Sequence, residues 1–535
     1  MRFLPVNSTS ILVELEDLDD TLALLSSLQT STLIGIKEII PAARTLLIHY
    51  QPEQVTAEQL ANEISKRELS ANPSCSNELI EMPVCYDGED LEHVAYLTKL
   101  SVEEVIRRHS KSEFTVAFCG FAPGFAYLTG GDPALNVPRH TDPRTVIPAG
   151  SVALAGSFSG VYPQSSPGGW QLIGKTSVKI WDLSRSPCAL FQPGNRVRFV
   201  KAEKSNTGIT PDSVTSISDV PNRQSEEGTA RFKVHTAPFP ALFQDFGRCG
   251  QASQGISTSG ALDRSSLKAA NRIVGNPVNT PCLEIIPGGF CFESFARVVI
   301  GYAGAPCQVK IQDIKGHIRT ITSLQPSALE PGDTVKFGHA QAGVRCYLAV
   351  RGGFEVSEVL GSASTDTLAN LGPSPVTAGT VLRLRKSKER LVSVSLHETP
   401  TRSFPVTGGV VVLDVVLGPR TDWFTSKGLE TFTEQHWNVT PDSSRVGARL
   451  SGQVPIERKN SNVELPSEGT VTGAIQVPPT GQPVLFLTDH PLTGGYPVIG
   501  AVARHHLDLI GQLPVNCKIR FRCLAPFAEI KLAAR

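Results

Sequence analysis

No two of the 11 cysteines are spaced as Cys-x-x-Cys; the thiols are scattered from Cys75 to Cys523 and odd in number, which argues against a disulfide framework and against a paired-cysteine zinc or redox motif. They read as reduced, mostly buried thiols. Neither sign of charge prevails, since 50 Lys and Arg face 50 Asp and Glu, so the chain lacks the positive field that holds nucleic acid or an anionic membrane. Met1 to Asp20 has no apolar stretch of signal-peptide length and soon meets Glu14, Glu16, Asp17, Asp19 and Asp20. Later apolar segments are all interrupted by a charge, Gly or Pro before they reach membrane-spanning length. The expectation is a cytoplasmic protein with neither a nucleic-acid nor a membrane partner. Two methionines among 535 residues, against 46 Gly and 39 Pro, favour strands punctuated by turns over a helical bundle.

At this length several cores are expected. Residues 1–78 read as a small α+β domain: strand Ile11 to Val13, helix Leu18 to Leu28, strands Leu33 to Ile40 and Thr45 to His49, and helix Ala57 to Lys66. In the two later strands Ile34, Ile36 and Leu46, Ile48 alternate, giving each one buried face. Residues 79–202 open with a strand and two helices, the second capped by Ser101 with Glu104, and then break into short strands suited to a barrel. Residues 203–229 are polar and read as a linker. Strands resume after Arg231, with one helix from Ser265 to Val274 entered through Asp263, and a break near Glu398 to Pro405 divides this half into lobes 230–400 and 401–535.

The most informative local pattern is a repeat. Gly168-Gly169-Trp170-Gln171-Leu172-Ile173-Gly174 matches Gly494-Gly495-Tyr496-Pro497-Val498-Ile499-Gly500. Upstream, Gly150-Ser151-Val152 parallels Gly469-Thr470-Val471, and Tyr162-Pro163 parallels Val477-Pro478. Three matches in one order indicate two copies of one β-unit. Paired glycines let backbone N–H groups approach a ligand oxygen, although a tight hairpin explains them equally well. Asp489 and His490 precede the second copy and supply groups for acid–base work near neutral pH; Arg139, His140 and Asp142 precede the first. Neighbours on a strand point to opposite faces, so only one of Asp489 and His490 is expected in a site. The two turns are expected to converge on one cleft.

Residues Gly169 to Thr176 also fit the phosphate-loop formula G-x-x-x-x-G-K-[ST]. Bulky apolar residues between the glycines, and strand alternation through Val178 and Ile180, argue against a phosphate loop and make Lys175 a strand residue. Phe118 to Leu128 packs aromatics around a Pro-Gly turn, as core or as the wall of a pocket, and Cys119 has no activating neighbour. Loop arginines Arg420 and Arg445 could grip carboxylate or phosphate or serve as ordinary ion pairs.

These segments resemble the allophanate-hydrolase-subunit-type domains found in bacteria as the B-type and C-type subunits of 5-oxoprolinase. The B-like half carries it in Pro41 to Leu47, Phe121 to Leu128, Val137-Pro138-Arg139, Ile147 to Val152 and Ser166 to Trp170. In the C-like half it lies in Gln244 to Arg248, Ser259 to Asp263, Glu464 to Gly469, Gly473 to Pro479 and Thr493 to Pro497. The resemblance implies a mainly β chain with tandem cyclophilin-like β-barrels behind the small α+β domain. It implies a part in ATP-dependent hydrolysis of a cyclic amide, 5-oxo-L-proline to L-glutamate, with a separate A-type subunit as partner and ATP bound by either chain. A related reading is the carboxyltransferase of a biotin-dependent urea carboxylase, although the chain has no Met-Lys-Met biotin carrier motif; a third is a sensor-kinase inhibitor. Self-association is left open. For amide activation by phosphate, Arg139, Lys175 and Arg445 are candidates for charge and Gly168, Gly169, Gly494 and Gly495 for N–H donors. Gln476 and Tyr496 are candidates for substrate contact, and Asp489 or His490 for the base. No metal ligand set is expected.

Overall fold

The computed structural model describes residues 1–69, 79–140, 142, 144–203, 231–385, 392–395, 398–400, 402–460, 463 and 465–532. Beyond Glu203 the expected linker lies outside the described residues, as does Glu464 of the C-like segment Glu464 to Gly469.

The N-terminal sheet runs Arg2–Asn7, Ser10–Glu14, Thr45–Tyr50, Ile36–Pro41, with helices Leu18–Thr30 and Ala57–Ser65 on one face. Asp17 caps the first helix, and Thr56 with Gln59 forms a capping box on the second. Ile11, Val13, Leu46 and Ile48 face the helices, whereas Leu4, Leu12, Ile40 and Leu47 face the C-terminal barrel. Leu46, Leu47 and Ile48 are therefore all buried, and the expected single buried face is corrected to two, because the sheet is covered on both sides. Ile34 is 81% exposed, since the strand begins only at Ile36, after Gly35 at φ +87°. The strand Arg2–Asn7 was not anticipated.

Next comes a seven-stranded sheet in the order Gln171–Lys175, Ser151–Ala155, Phe158–Val161, Ala126–Thr129, Glu113–Cys119, Arg196–Lys201, Leu79–Val84. Its two edges meet at the bridge between Cys85 and Lys175, so it nearly closes. Helices Leu91–Thr98 and Val102–Lys111 follow its first strand. Ser101 accepts the Glu104 N–H, but the Glu104 carboxylate binds Arg107 and Arg108, so the expected capping box closes on one side only.

Residues 231–385 form a six-stranded and a five-stranded sheet around one apolar core, with helix Arg264–Val274 packed beside Cys282, Ala303, Tyr347 and Ala349. The C-terminal unit is a closed barrel in the order Val410–Leu417, Val498–Val502, Ala474–Gln476, Val484–Phe486, Gly447–Ser451, Trp437–Val439, Lys518–Cys523. In both seven-stranded units the first strand pairs in parallel with the last and antiparallel with the strand after the paired glycines. The circular order is therefore the same in both, and the repeat in sequence is a repeat in topology.

Candidate functional site

Each paired-glycine turn leaves a two-stranded ribbon, with Gly168 opposite Arg144 and Gly494 opposite Glu468. Each then enters a strand in which one isoleucine, Ile173 or Ile499, is squeezed out of register into the interior. The closing glycines are required by close approach: a Cβ on Gly174 would lie 2.6 Å from the Cys85 carbonyl oxygen, and one on Gly500 would lie 2.8 Å from that of Val416.

The upstream part of the repeat has a different register from the one expected. Gly150 corresponds to Gly473, not Gly469: their φ values are +81° and +86°. Their N–H groups donate to Tyr162 O and Phe486 O, and their carbonyls accept from Thr176 and Val502. Phe486 is thus the counterpart of Tyr162, and Val477-Pro478 lies one strand too early to match Tyr162-Pro163.

This register exposes an equivalence invisible in the letters. The Asp90 N–H donates to Leu172 O as the Arg420 N–H donates to Val498 O, and each side chain binds the residue opposite the first glycine. In the first unit Arg144 donates to both Asp90 oxygens at 2.9 and 2.7 Å. In the second, Arg420 Nε donates to Glu468 at 2.8 Å. The same ion pair occurs twice with its charges exchanged.

The surroundings of the two pairs differ. Arg420 and Glu468 are sealed beneath the N-terminal sheet, where Arg420 Nη2 also binds Glu14 at 3.0 Å. Asp90 also accepts the Leu172 N–H at 2.7 Å, and its partner Arg144 is half-buried. His140 Nε2 lies 3.3 Å from Asp90 Oδ1, within ion-pair reach though off hydrogen-bond geometry, while its backbone N–H is held by Gly169 O at 2.8 Å. Burial alone would raise the Asp90 pKa, but Arg144, the Leu172 N–H and His140 outweigh it and hold the carboxyl below its ordinary value. His93 stacks on His140 with ring centroids 6.1 Å apart.

Of the residues expected from sequence, Asp489 and Arg445 are brought together, but in a sealed knot. Arg445 donates to Asp489 at 3.0 Å, to Glu284 at 2.6 Å and to Gly260 O at 2.6 Å. Ser259 and Thr367 occupy the remaining Asp489 positions at 2.6 to 2.9 Å. With Asp489 fully buried and both its oxygens engaged, the pair joins the two C-terminal lobes, and in this arrangement neither side chain is open to a substrate. The His490 side chain is not hydrogen-bonded to Asp489. Its Nδ1 faces Thr470 Oγ1 and Pro491 O, its ring stacks on Phe486 at 5.7 Å, and burial lowers its pKa.

Gln476, Gly494, Gly495 and Tyr496 do cluster, with Gln476 Nε2 donating to Tyr496 O at 3.0 Å. Lys175 is solvent-facing and pairs with Asp87 at 3.0 Å, which raises its pKa. Arg139 is exposed near Tyr127 and Tyr162. Gly168 lies under the Tyr162 hydroxyl.

Where one cleft was expected, the first unit approaches the second turn. Thr493 abuts Gly120, and the Phe121 ring packs on Phe125 at 5.3 Å and Tyr162 at 6.5 Å, so side chains join the two turns. Phe121 itself adopts φ +66°, a conformation disfavoured for a bulky residue. Cavities of about 180 and 230 Å³ lie elsewhere, one beside His109 and Asp132, the other beside Ser265 and Arg402. Phe118 and Phe125 are core, and burial pushes the Cys119 thiol up to about 12. Gln171–Lys175 is a strand, so the phosphate-loop formula is a coincidence of letters.

Asp414, His505 and His506 converge as metal ligands can, but Arg522 binds Asp414 at 2.6 Å and His506 Nδ1 accepts the Asp414 N–H, leaving its Nε2 protonated. Sequence reasoning missed Asp90, Arg144 and Glu14, whose partners lie 54, 54 and 406 residues away. No local spacing encodes such pairs.

Two family models match: carboxyltransferase domain subdomains C and D over residues 1–191, and subdomains A and B over residues 254–523. The chain belongs to the carboxyltransferase-domain family, with both domain pairs fused in one polypeptide. It is 39% identical to the B-type subunit of 5-oxoprolinase from Bacillus subtilis (strain 168) over 187 residues, 32% of this chain and 78% of that protein. It is 32% identical to the C-type subunit of 5-oxoprolinase from Escherichia coli (strain K12) over 294 residues, 54% of this chain and 90% of that protein. Urea amidolyase of Saccharomyces cerevisiae is 31% identical over 52% of this chain but only 16% of its own length. The solved structure of TTHA0988 superposes with a TM-score of 0.80 at 31% identity, covering 96% of this chain and 99% of that one.

Proposed function

We propose that this chain is the fused B-type and C-type component of an ATP-dependent 5-oxoprolinase, opening 5-oxo-L-proline to L-glutamate together with an A-type subunit. The observation that carries the reading is coverage. The chain spans 78% and 90% of the two 5-oxoprolinase subunits it matches but 16% of urea amidolyase. We read the two seven-stranded units as tandem cyclophilin-like barrels, on the strength of their shared circular order. We read a cytoplasmic location with them; among the described residues no helix is long and apolar enough to cross a membrane.

A lactam resists water because attack destroys amide resonance and nitrogen leaves poorly. Transfer of phosphate to the amide oxygen removes both obstacles. Since the stretch that fits the phosphate-loop formula is a strand, we assign ATP to the A-type subunit. This chain then has to bind the activated lactam, neutralise charge and direct water. His140 suits the base better than the enclosed His490, because it is partly solvent-facing and backed by a buried carboxylate at the first paired-glycine turn. Arg139, Arg144 and Lys175 supply positive charge on the same unit, and Gly168 and Gly169 supply backbone N–H groups.

The test is reconstitution: the chain, an A-type subunit, ATP and 5-oxoproline, with glutamate measured. Glutamate that requires both proteins supports the reading. Its absence, with carboxylation of urea when biotin carboxylase, biotin carrier and bicarbonate are supplied instead, would favour the carboxyltransferase reading carried by the family's own description.

A further inference from the structure

Four arginines are buried among the described residues: Arg248, Arg420, Arg445 and Arg458. The first three face carboxylates, namely Asp366, Glu468 and Asp489. Arg458 is only 8% exposed, yet no carboxylate among the described residues lies within ion-pair distance of it. One of its nitrogens donates to Val463 O at 2.8 Å; its Nε is buried and has no hydrogen-bond partner. A desolvated, incompletely paired guanidinium is costly, and it is retained where an anion completes it.

The setting of Arg458 is built. Its guanidinium carbon stands 5.8 Å from the centre of the half-buried Trp423 ring. The Trp423 carbonyl is tied to the Lys459 N–H at 2.9 Å, and Phe424 forms a β-bridge with Arg458, so wall and cation are held to one another by backbone. Burial pulls the Arg458 pKa down.

We propose that Arg458, walled by Trp423, forms a binding site for a small organic acid, its carboxylate on the guanidinium and its apolar body against the indole ring. A planar carboxylate matches the arginine fork, and the indole offers the flat apolar face that a hydrated inorganic anion does not use. The naming of the acid as 5-oxoproline, a lactam bearing one carboxylate, rests on the function proposed above; the site itself does not.

The test is calorimetric titration of the full chain with three probes: 5-oxoproline, 2-pyrrolidinone, which is the same ring without the carboxylate, and inorganic phosphate. Trp423 fluorescence serves as a second readout, with Trp423→Phe as its control. Saturable binding of 5-oxoproline but not of 2-pyrrolidinone is expected. Arg458→Gln should weaken it about 10- to 100-fold, the loss of charge-assisted hydrogen bonds to a carboxylate, and Arg458→Lys should weaken it less. Thermal unfolding of both variants separates lost binding from lost fold. An unchanged Kd in a folded Arg458→Gln variant, no saturable binding of any probe, or Arg458-dependent binding of phosphate alone would each overturn the proposal. Arg458-dependent binding of 5-oxoproline without glutamate formation in the reconstituted mixture would instead leave the site standing and refute the 5-oxoprolinase reading.

Discussion

The exchanged ion pairs offer a comparison, because two copies of one unit carry the same pair with its charges reversed and with one partner more exposed in the first copy. Arg420 is about 3% exposed with Glu468 and Glu14 against it, whereas Arg144 is 28% exposed beside Asp90. Arg420→Met would strand Glu468 in an interface that water does not reach, while Glu14 keeps Arg2 and Arg44, and removal of one partner from a buried pair costs about 3–5 kcal/mol. Asp90→Asn leaves a cation that solvent can reach and an amide that still faces the Leu172 N–H, so about 1 kcal/mol is expected. The loss at Arg420 should localise to the seam between the N-terminal sheet and the second barrel, since Leu4, Leu12 and Leu47 pack there against Val471, Phe486 and Val498. Hydrogen exchange should show faster opening of Arg2–Asn7 and Ser10–Glu14, with slower change in the strands of residues 231–385. Combining Arg420→Met with Glu468→Gln should recover most of the stability, because no buried charge then lacks a partner. Equal destabilisation by Arg420→Met and Asp90→Asn, or no recovery in the double variant, would refute the argument that burial decides the worth of these pairs.

Burial holds His109 neutral, with a pKa of about 3 and both ring nitrogens bonded to Tyr86 and Ser159. Its folded pKa is depressed, so the unfolded chain takes up a proton first as pH falls below the ordinary histidine value of 6.5, and stability declines from there towards pH 3. Between pH 7 and pH 5 this group should remove about 2 kcal/mol, and in urea titrations at the two pH values His109→Gln should show a correspondingly smaller loss. In the reconstituted reaction His140→Gln should lower turnover by about 10²- to 10⁴-fold with the protein folded, while His490→Gln should change it far less. The reverse ranking would return the base to His490. Gly174→Ala and Gly500→Ala should each destabilise by about 1–3 kcal/mol, because the added carbon meets a carbonyl oxygen of the neighbouring strand. A melting temperature unchanged in either variant would contradict that close approach.

Local order was largely legible. Helix Arg264–Val274 and its cap Asp263 follow from apolar spacing and a side chain that accepts the Ser266 N–H. The paired-glycine repeat could be read because both its spacing and its physical cause, a register slip and a close approach, act within a few residues. The upstream register was misjudged by four residues because Gly469-Thr470-Val471 imitates Gly150-Ser151-Val152 in letters, whereas the carbonyl that each turn glycine binds belongs to a strand further along.

By itself, then, the sequence determined the mainly β character, the duplication and the family, since composition, turn chemistry and contiguous motifs are properties of neighbouring residues. Only the tertiary structure decided that Asp489 and Arg445 are bound in a knot, that Asp90 and Arg144 meet at the first turn, and that Arg458 stands buried with no carboxylate of the described residues within ion-pair distance. Those outcomes depend on which distant groups share a site and on whether water reaches it, and neither is written in the spacing of residues along the chain.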